Sequence, residues 1–160
     1  MSTNTGGVIA TRYLEILRLH PDVPDPFRAY ENSAAFDLFA YLKSDNGRER
    51  TATVGPGITQ AIPTGLCVCP PRGYCVLICS RSGFASDGVF VANAPGVVDP
   101  DYTGEIKVLL INAGLKMFYV KHGMRIAQAM IVPFANFPFK EVKSFPETER
   151  GDKGFGSTGV

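Results

Sequence analysis

Apolar, β-branched and aromatic residues fall in short runs along the chain: Tyr13–Leu19, Phe36–Leu42, Ile58–Ile62, Leu66–Cys69, Tyr74–Cys79, Val89–Ala92, Glu105–Ile111, Met117–Lys121, Ile126–Val132 and Phe139–Lys143. Gly, Pro, Asn or Asp separates nearly all of them, a pattern that reads as strands joined by turns. No 3.6-residue apolar period is sustained through a long capped segment, so helix is expected only as a turn or two around Arg81–Phe84. The expected class is all-β, a jelly-roll-like antiparallel sandwich or barrel. One β domain is expected over residues 1–143, with 1–11 a small polar arm. Residues 144–160, polar and rich in glycine, are expected to form a flexible C-terminal arm.

Composition sharpens this picture in two places. Seventeen glycines and twelve prolines among 160 residues agree with many turns, and 45% hydrophobic residues supply a core and exclude wholesale disorder. Sixteen basic and fifteen acidic residues leave a net charge of +1. That balance lacks the electrostatic footprint of a nucleic-acid or membrane-surface binder, so neither is an expected partner. A polyanionic ligand would have to be held by a few local groups and a metal ion. The uncharged stretch from Val54 to Pro71 is broken by Gly55, Pro56, Gly57, Pro63, Gly65 and Pro70, so no lipid-spanning helix is expected. The opening MSTNTGGVIA carries no apolar core of signal-peptide length, and the expected location is cytoplasmic or nuclear, in a reducing compartment.

The four cysteines are open to two readings. If their runs are strands, Cys67 and Cys69 share one face and Cys75 and Cys79 share another, so four thiols could converge on zinc. The C-x-C and C-x3-C spacings are not those of zinc knuckles and no histidine lies close in sequence. Four small buried hydrophobes in a reducing compartment are therefore the preferred expectation.

The candidate chemistry lies in two segments. Gly154-Phe155-Gly156-Ser157-Thr158-Gly159 has the form G-x-G-x-x-G, but no strand–helix context surrounds it, so it is not a dinucleotide fingerprint. Its chemistry still suits phosphate: Arg150 and Lys153 bring charge, the glycines let backbone N–H groups approach an anion, and Ser157 and Thr158 add hydroxyls. Phe155 offers a flat face to a base. Upstream, the segment from Gly96 to Ile106 reads as strand, tight turn, strand, with Asp99, Asp101, Glu105 and Tyr102 gathered about one turn.

Together these segments resemble the trimeric dUTP diphosphatase (dUTPase) family, with five ordered motifs between residues 34 and 159. They are Ala34-Ala35-Phe36-Asp37-Leu38, Arg81-Ser82-Gly83, Gly96 to Ile106, Arg125-Ile126-Ala127-Gln128, and Arg150 to Gly159. Ala35-Phe36 stands where the family usually has Gly-Tyr, and Ser80 where Pro or Gly is common. Neither departure replaces a group that does chemistry.

The resemblance implies hydrolysis of dUTP to dUMP and pyrophosphate with Mg²⁺, in a homotrimer whose subunits share three sites. Carried over residue by residue, Asp99 is implied as the base for the attacking water. Tyr102 would lie against the deoxyribose, and Asn93, Val97 and Val98 would read the uracil. Arg81, Ser82 and Gly83 are implied to hold the phosphates, with Gln128 beside them, and Asp37 to hold the magnesium shell through water. Arg150 would clamp the γ-phosphate, Phe155 cover the base, and Gly156 and Ser157 bind phosphate oxygens. Lys107 is a further implied nucleotide contact. The resemblance leaves room for a dCTP deaminase, a bifunctional deaminase–diphosphatase, or a dUTPase-like regulatory binding protein. The Asp99-x-x-Tyr102 spacing and the Phe-Gly-Ser-Thr tail favour the diphosphatase.

Overall fold

The computed structural model describes residues 13–153. Eleven strands and one short helix follow in chain order: β1 (Glu15–Arg18), β2 (Ala35–Phe39), β3 (Thr51–Val54), β4 (Thr59–Pro63), β5 (Leu66–Cys69), β6 (Tyr74–Cys79), α1 (Ser82–Ser86), β7 (Val89–Val91), β8 (Gly96–Val98), β9 (Lys107–Asn112), β10 (Phe118–Lys121) and β11 (Arg125–Pro133). Every pairing is antiparallel. The strands form sheets ordered β2-β11-β6-β8, β4-β9-β7, β1-β5 and β10-β3. The expected all-β jelly-roll-like class with little helix is what the chain adopts.

The period-2 pattern explains the core. On β2, Phe36 and Leu38 point inward, and on β6 Val76 and Ile78 do the same. Val108 and Leu110 from β9, and Ile126, Ala127 and Ala129 from β11, meet them in one cluster. The alternate residues Asp37, Cys79 and Gln128 face the other side of the four-stranded sheet. Their register aligns them in one row, since Gln128 faces Asp37 on β2 and Cys79 on β6.

Three sequence expectations change. Thr51–Val54 is a strand that the apolar runs do not announce, because only Val54 of the four is buried. Phe139–Lys143 forms no strand: the segment is exposed and has no strand partner among the described residues. The run from Tyr13 to Leu19 contributes only the four exposed residues of β1. The four thiols are free and do not converge, since Cys67 and Cys69 lie on β5 and Cys75 and Cys79 on β6, in different sheets. Among the described residues no three His, Cys, Asp or Glu side chains are grouped to hold a metal. Burial pushes the Cys67 thiol above its ordinary value, with a lesser push from Glu105, so it stays a neutral packing group. Among the described residues no helix is long and apolar enough to cross a membrane.

Candidate active site

The sequence-predicted residues form two groups within one chain. The first is built around Asp37, which is 4% exposed. Its Oδ1 accepts from Nε of Arg81 at 3.2 Å and its Oδ2 from Nη1 of Arg125 at 3.1 Å. Arg81 also donates through Nη1 to the Arg125 carbonyl at 3.2 Å. A carboxylate this deeply buried requires charged partners, and two guanidiniums satisfy it. Arg81 directly precedes α1, so Ser82 and Gly83, both exposed, stand at the start of that helix. Gln128 completes the group from β11.

Arg125 and Gln128 are three residues apart, which in a regular strand would place them on opposite faces. A register shift between Arg125 and Ala127 resolves this: Arg125 faces Phe39 while Ala127 faces Leu38, adjacent residues on β2. The extra residue turns Ile126 and Ala127 both into the core and leaves Arg125 and Gln128 on the Asp37 side. Ser80, where the family commonly has Pro or Gly, accepts a hydrogen bond from the Val91 N–H at 2.9 Å and so ties the end of β6 to β7.

The second group is the hairpin between β8 and β9. A cavity of about 180 Å³ is lined by Asn93, Gly96, Val97, Val98, Tyr102 and Lys107, with Ile78, Val91 and Glu105 among its other walls. Strand β8 is the edge of its sheet, paired only with β6, so the backbone groups on its outer side have no strand partner and can meet the edge of a base. A Cβ on Gly96 would lie 3.1 Å from the Asn93 amide nitrogen, so glycine lets Asn93 fold close to this strand. The turn closes when the Tyr102 N–H donates to the Asp99 carbonyl at 3.1 Å, with Pro100 preset in the second turn position. Tyr102 then donates from its hydroxyl to the Glu105 carbonyl at 3.0 Å, laying its ring over Gly104. Asp99 is exposed at the turn and is not part of the cavity wall. Glu105 Oε1 accepts the Gly65 N–H at 2.8 Å, and its Oε2 lies 3.8 Å from Lys107 Nζ, which steadies the base of the hairpin.

Asp99 and the Asp37–Arg81 pair do not meet within one chain. Val98 pairs with Val76, so Asp99 stands near the beginning of β6, whereas Arg81 follows its end. Asp99 is level with Cys75, six residues before Arg81, and at about 3.3 Å per residue the separation is on the order of 20 Å. Arg150 lies on the exposed tail, where its Nε donates to the Lys153 carbonyl at 3.1 Å. Phe155, Gly156 and Ser157 lie outside the described residues. Arg125 was not among the predicted site residues. The motif containing it was visible, but a three-residue spacing on a strand hides a shared face until the bulge is seen.

The dUTPase family model matches residues 22–159. The deoxyuridine 5′-triphosphate nucleotidohydrolase of Dictyoglomus turgidum is 43% identical over 146 residues, covering 91% of this chain and 97% of that protein. The enzyme of the same name from Rickettsia massiliae is 45% identical over 136 residues, covering 84% and 88%. Among solved structures, a variant dUTPase of Staphylococcus bacteriophage 80alpha with dUpNHpp superposes with a TM-score of 0.82 at 27% identity, covering 94% of this chain and all of that one. A dUTPase variant from phage phi11 of S. aureus, described with a structural Mg(II) ion, shares the fold at TM-score 0.73 and 22% identity, covering 83% and 98%. On the match over most of its length and the identity to these relatives, the chain belongs to the dUTPase family.

Proposed function

We propose that the chain hydrolyses dUTP to dUMP and pyrophosphate, with the hairpin of one subunit facing the Asp37–Arg81–Arg125 clamp of another. The observation that carries this reading is the base-sized cavity on the free edge of β8, bounded by Asn93, Val97, Val98 and Tyr102. Fixed backbone groups there would pair with the uracil O4 and N3–H and would leave a polar group unpaired against cytosine, which can discriminate by as much as roughly 10⁴. The Tyr102 ring, held by its bond to the Glu105 carbonyl, would pack on the deoxyribose and leave no room for a 2′-hydroxyl.

The substrate carries about four negative charges, and a chain of net charge +1 must neutralise them locally. Two of the five N–H donors of Arg81 are used on Asp37 and the Arg125 carbonyl, which leaves the others for phosphate oxygens. The exposed Ser82 and Gly83 stand beside it, Gln128 flanks them from β11, and Lys107 reaches the nucleotide from the hairpin. Arg150, Phe155, Gly156 and Ser157 would arrive on the tail, residues 144–160, to clamp the γ-phosphate and cover the base.

The donor set fits Mg²⁺ held chiefly by the phosphates. No cluster of carboxylates grips a metal directly among the described residues, and Asp37, fenced by two arginines, could serve only through water. When bound, such an ion neutralises phosphate charge and makes pyrophosphate a better leaving group. Asp99 orients a water in line with the α-phosphorus and takes its proton as the new P–O bond forms. The bond to the β-phosphate oxygen breaks, and Arg81 and Arg150 hold the departing charge.

Subunit sharing has its own support. Asp99 stands beside the beginning of β6 and Arg81 beyond its end, so the base and the phosphate clamp lie apart within one chain. The outer face of the four-stranded sheet carries Leu77, Met130 and Val132 half-buried and Val97 exposed, in matching register. Beyond β11, Phe137, Phe139 and Phe145 are exposed. Apolar surface of this extent suits a homotrimer with three shared sites. Four free thiols suit a reducing cytoplasm, and the named cellular relatives are bacterial.

The deciding experiment is incubation with each deoxynucleoside triphosphate and Mg²⁺, assaying pyrophosphate and ammonia. Pyrophosphate from dUTP alone is expected, whereas ammonia from dCTP would replace the reading with a deaminase. Asp99→Asn should keep nucleotide binding and lose 10²- to 10⁴-fold in turnover, the usual span for a general base. Unchanged turnover would remove Asp99 from that role.

A further inference from the structure

Arg81 has a contact that the ion pairs do not explain. Its guanidinium carbon lies 5.6 Å from the centroid of the Phe84 ring, one turn along α1. Phe84 in turn meets Phe118 of β10 edge to face, with centroids 5.0 Å apart and planes at 72°. The three side chains form a stack that runs from the anion clamp to the β3–β10 sheet.

The helix carrying Ser82 and Gly83 has little else to fix it. It is five residues long, none of them is fully buried, and no side chain caps its start. Phe84 is the one residue of α1 packed against the core cluster. The hydrogen bonds from Nε and Nη1 hold two of the three nitrogens of the Arg81 guanidinium. A ring against its face restrains rotation of the plane and so fixes where the remaining donors point. Asp37 and the Arg125 carbonyl alone would leave that plane free to tilt about their two bonds.

We propose that Phe84 is a positioning residue that aims the Arg81 guanidinium at the triphosphate. Held by Phe118, it sets the plane of the donors while touching no substrate itself. The inference rests on Arg81 binding phosphate. A leucine at this position would keep the anchor to the core and lose the aromatic face, so packing and aiming can be separated.

The test measures binding of the imido analogue of dUTP by calorimetry and dUTP turnover, for Phe84→Leu, Phe84→Tyr, Arg81→Ala and the Arg81→Ala/Phe84→Leu double variant. Phe84→Leu should bind the analogue about five-fold more weakly and raise KM by a similar factor, with kcat within two-fold and a melting midpoint lower by only a few degrees. Phe84→Tyr, which restores the ring face, should return both to wild type. In the absence of Arg81, changing Phe84 to Leu should cost nothing further. Wild-type affinity in Phe84→Leu, no rescue by tyrosine, or an undiminished loss in the double variant would overturn the role of Phe84 while leaving the phosphate clamp standing. Wild-type affinity in Arg81→Ala would overturn both.

Discussion

Arg125 reaches Asp37 with its Nη1 3.1 Å from Oδ2, because a β-bulge puts this arginine and Gln128 on the same side of β11. The carboxylate is buried while the Arg125 side chain is 44% exposed. Arg125 is thus the outer jaw of a clamp whose inner jaw is Arg81. Removing its side chain leaves Asp37 with one charged partner instead of two, while the main-chain carbonyl that accepts from Arg81 Nη1 stays in place. Arg125→Ala should lower stability by about 1 kcal/mol, a small figure because solvent screens the exposed half of the pair. KM for dUTP should rise several-fold, with Arg125→Lys intermediate because an ammonium cannot reproduce the fork. Urea midpoints and steady-state kinetics check this, and wild-type KM in Arg125→Ala would show that the outer jaw is ornamental.

How much of this was visible in the sequence depends on the kind of feature. The strands at Leu66–Cys69 and Tyr74–Cys79 coincide with their apolar runs, because both are buried and turn residues bound them on either side. The turn at Asp99-Pro100-Asp101-Tyr102 was legible for the same reason: proline and aspartate dictate local geometry without help from distant residues. Thr51–Val54 was not, since its only buried residue is Val54 and its pairing with β10 is long-range. Phe139–Lys143 has strand-like residues but finds no partner strand among the described residues, and propensity alone does not supply one. The bulge at Arg125–Ala127 is a property of two strands together, so neither strand's sequence declares it.

Gly104 makes a second prediction. A Cβ there would lie 2.6 Å from the Tyr102 hydroxyl oxygen and 2.7 Å from Cζ, far inside contact distance. Tyr102 is 47% exposed, so its ring can swing out into solvent with little loss of packing. Gly104→Ala should therefore leave the thermal midpoint within a few degrees of wild type. It should also break the bond to the Glu105 carbonyl and displace the ring that screens the sugar. The preference for dUTP over UTP, measured as the ratio of kcat/KM values, should fall roughly ten-fold, the scale of a lost steric contact. An unchanged ratio would separate Tyr102 from sugar selection.

Asp22 carries a pH dependence. Hydrogen bonds from Lys43 and then Tyr41 hold its carboxyl down at about 2, from an ordinary 3.8. A depressed carboxyl stabilises the fold above its unfolded value and ceases to do so as pH falls through the folded one. Asp22→Asn should therefore be less stable than wild type at pH 6. The gap should close between pH 4 and pH 2 as the carboxylates protonate. The site is exposed, so the difference will be small, and urea titrations of both proteins across that range will resolve its sign. A gap that widens toward pH 2 would contradict the assignment.

Truncation after Thr148 separates folding from closure. The described residues at the end of the chain, Glu149 to Lys153, are exposed, and the hydrogen bonds from Gly151 to Thr148 and between Arg150 and Lys153 are local. None of them enters the buried cluster. Deleting residues 149–160 should thus leave the melting midpoint and subunit stoichiometry unchanged. Turnover needs more than a folded body: water must be excluded and the terminal phosphate neutralised at the moment of attack, and Arg150 is the cation the tail would bring. The truncated protein should still bind dUMP, whose contacts lie in the hairpin cavity, and should lose at least a hundred-fold in dUTP turnover. Full turnover without the tail would mean that the two halves contributed by the β domains complete the site unaided.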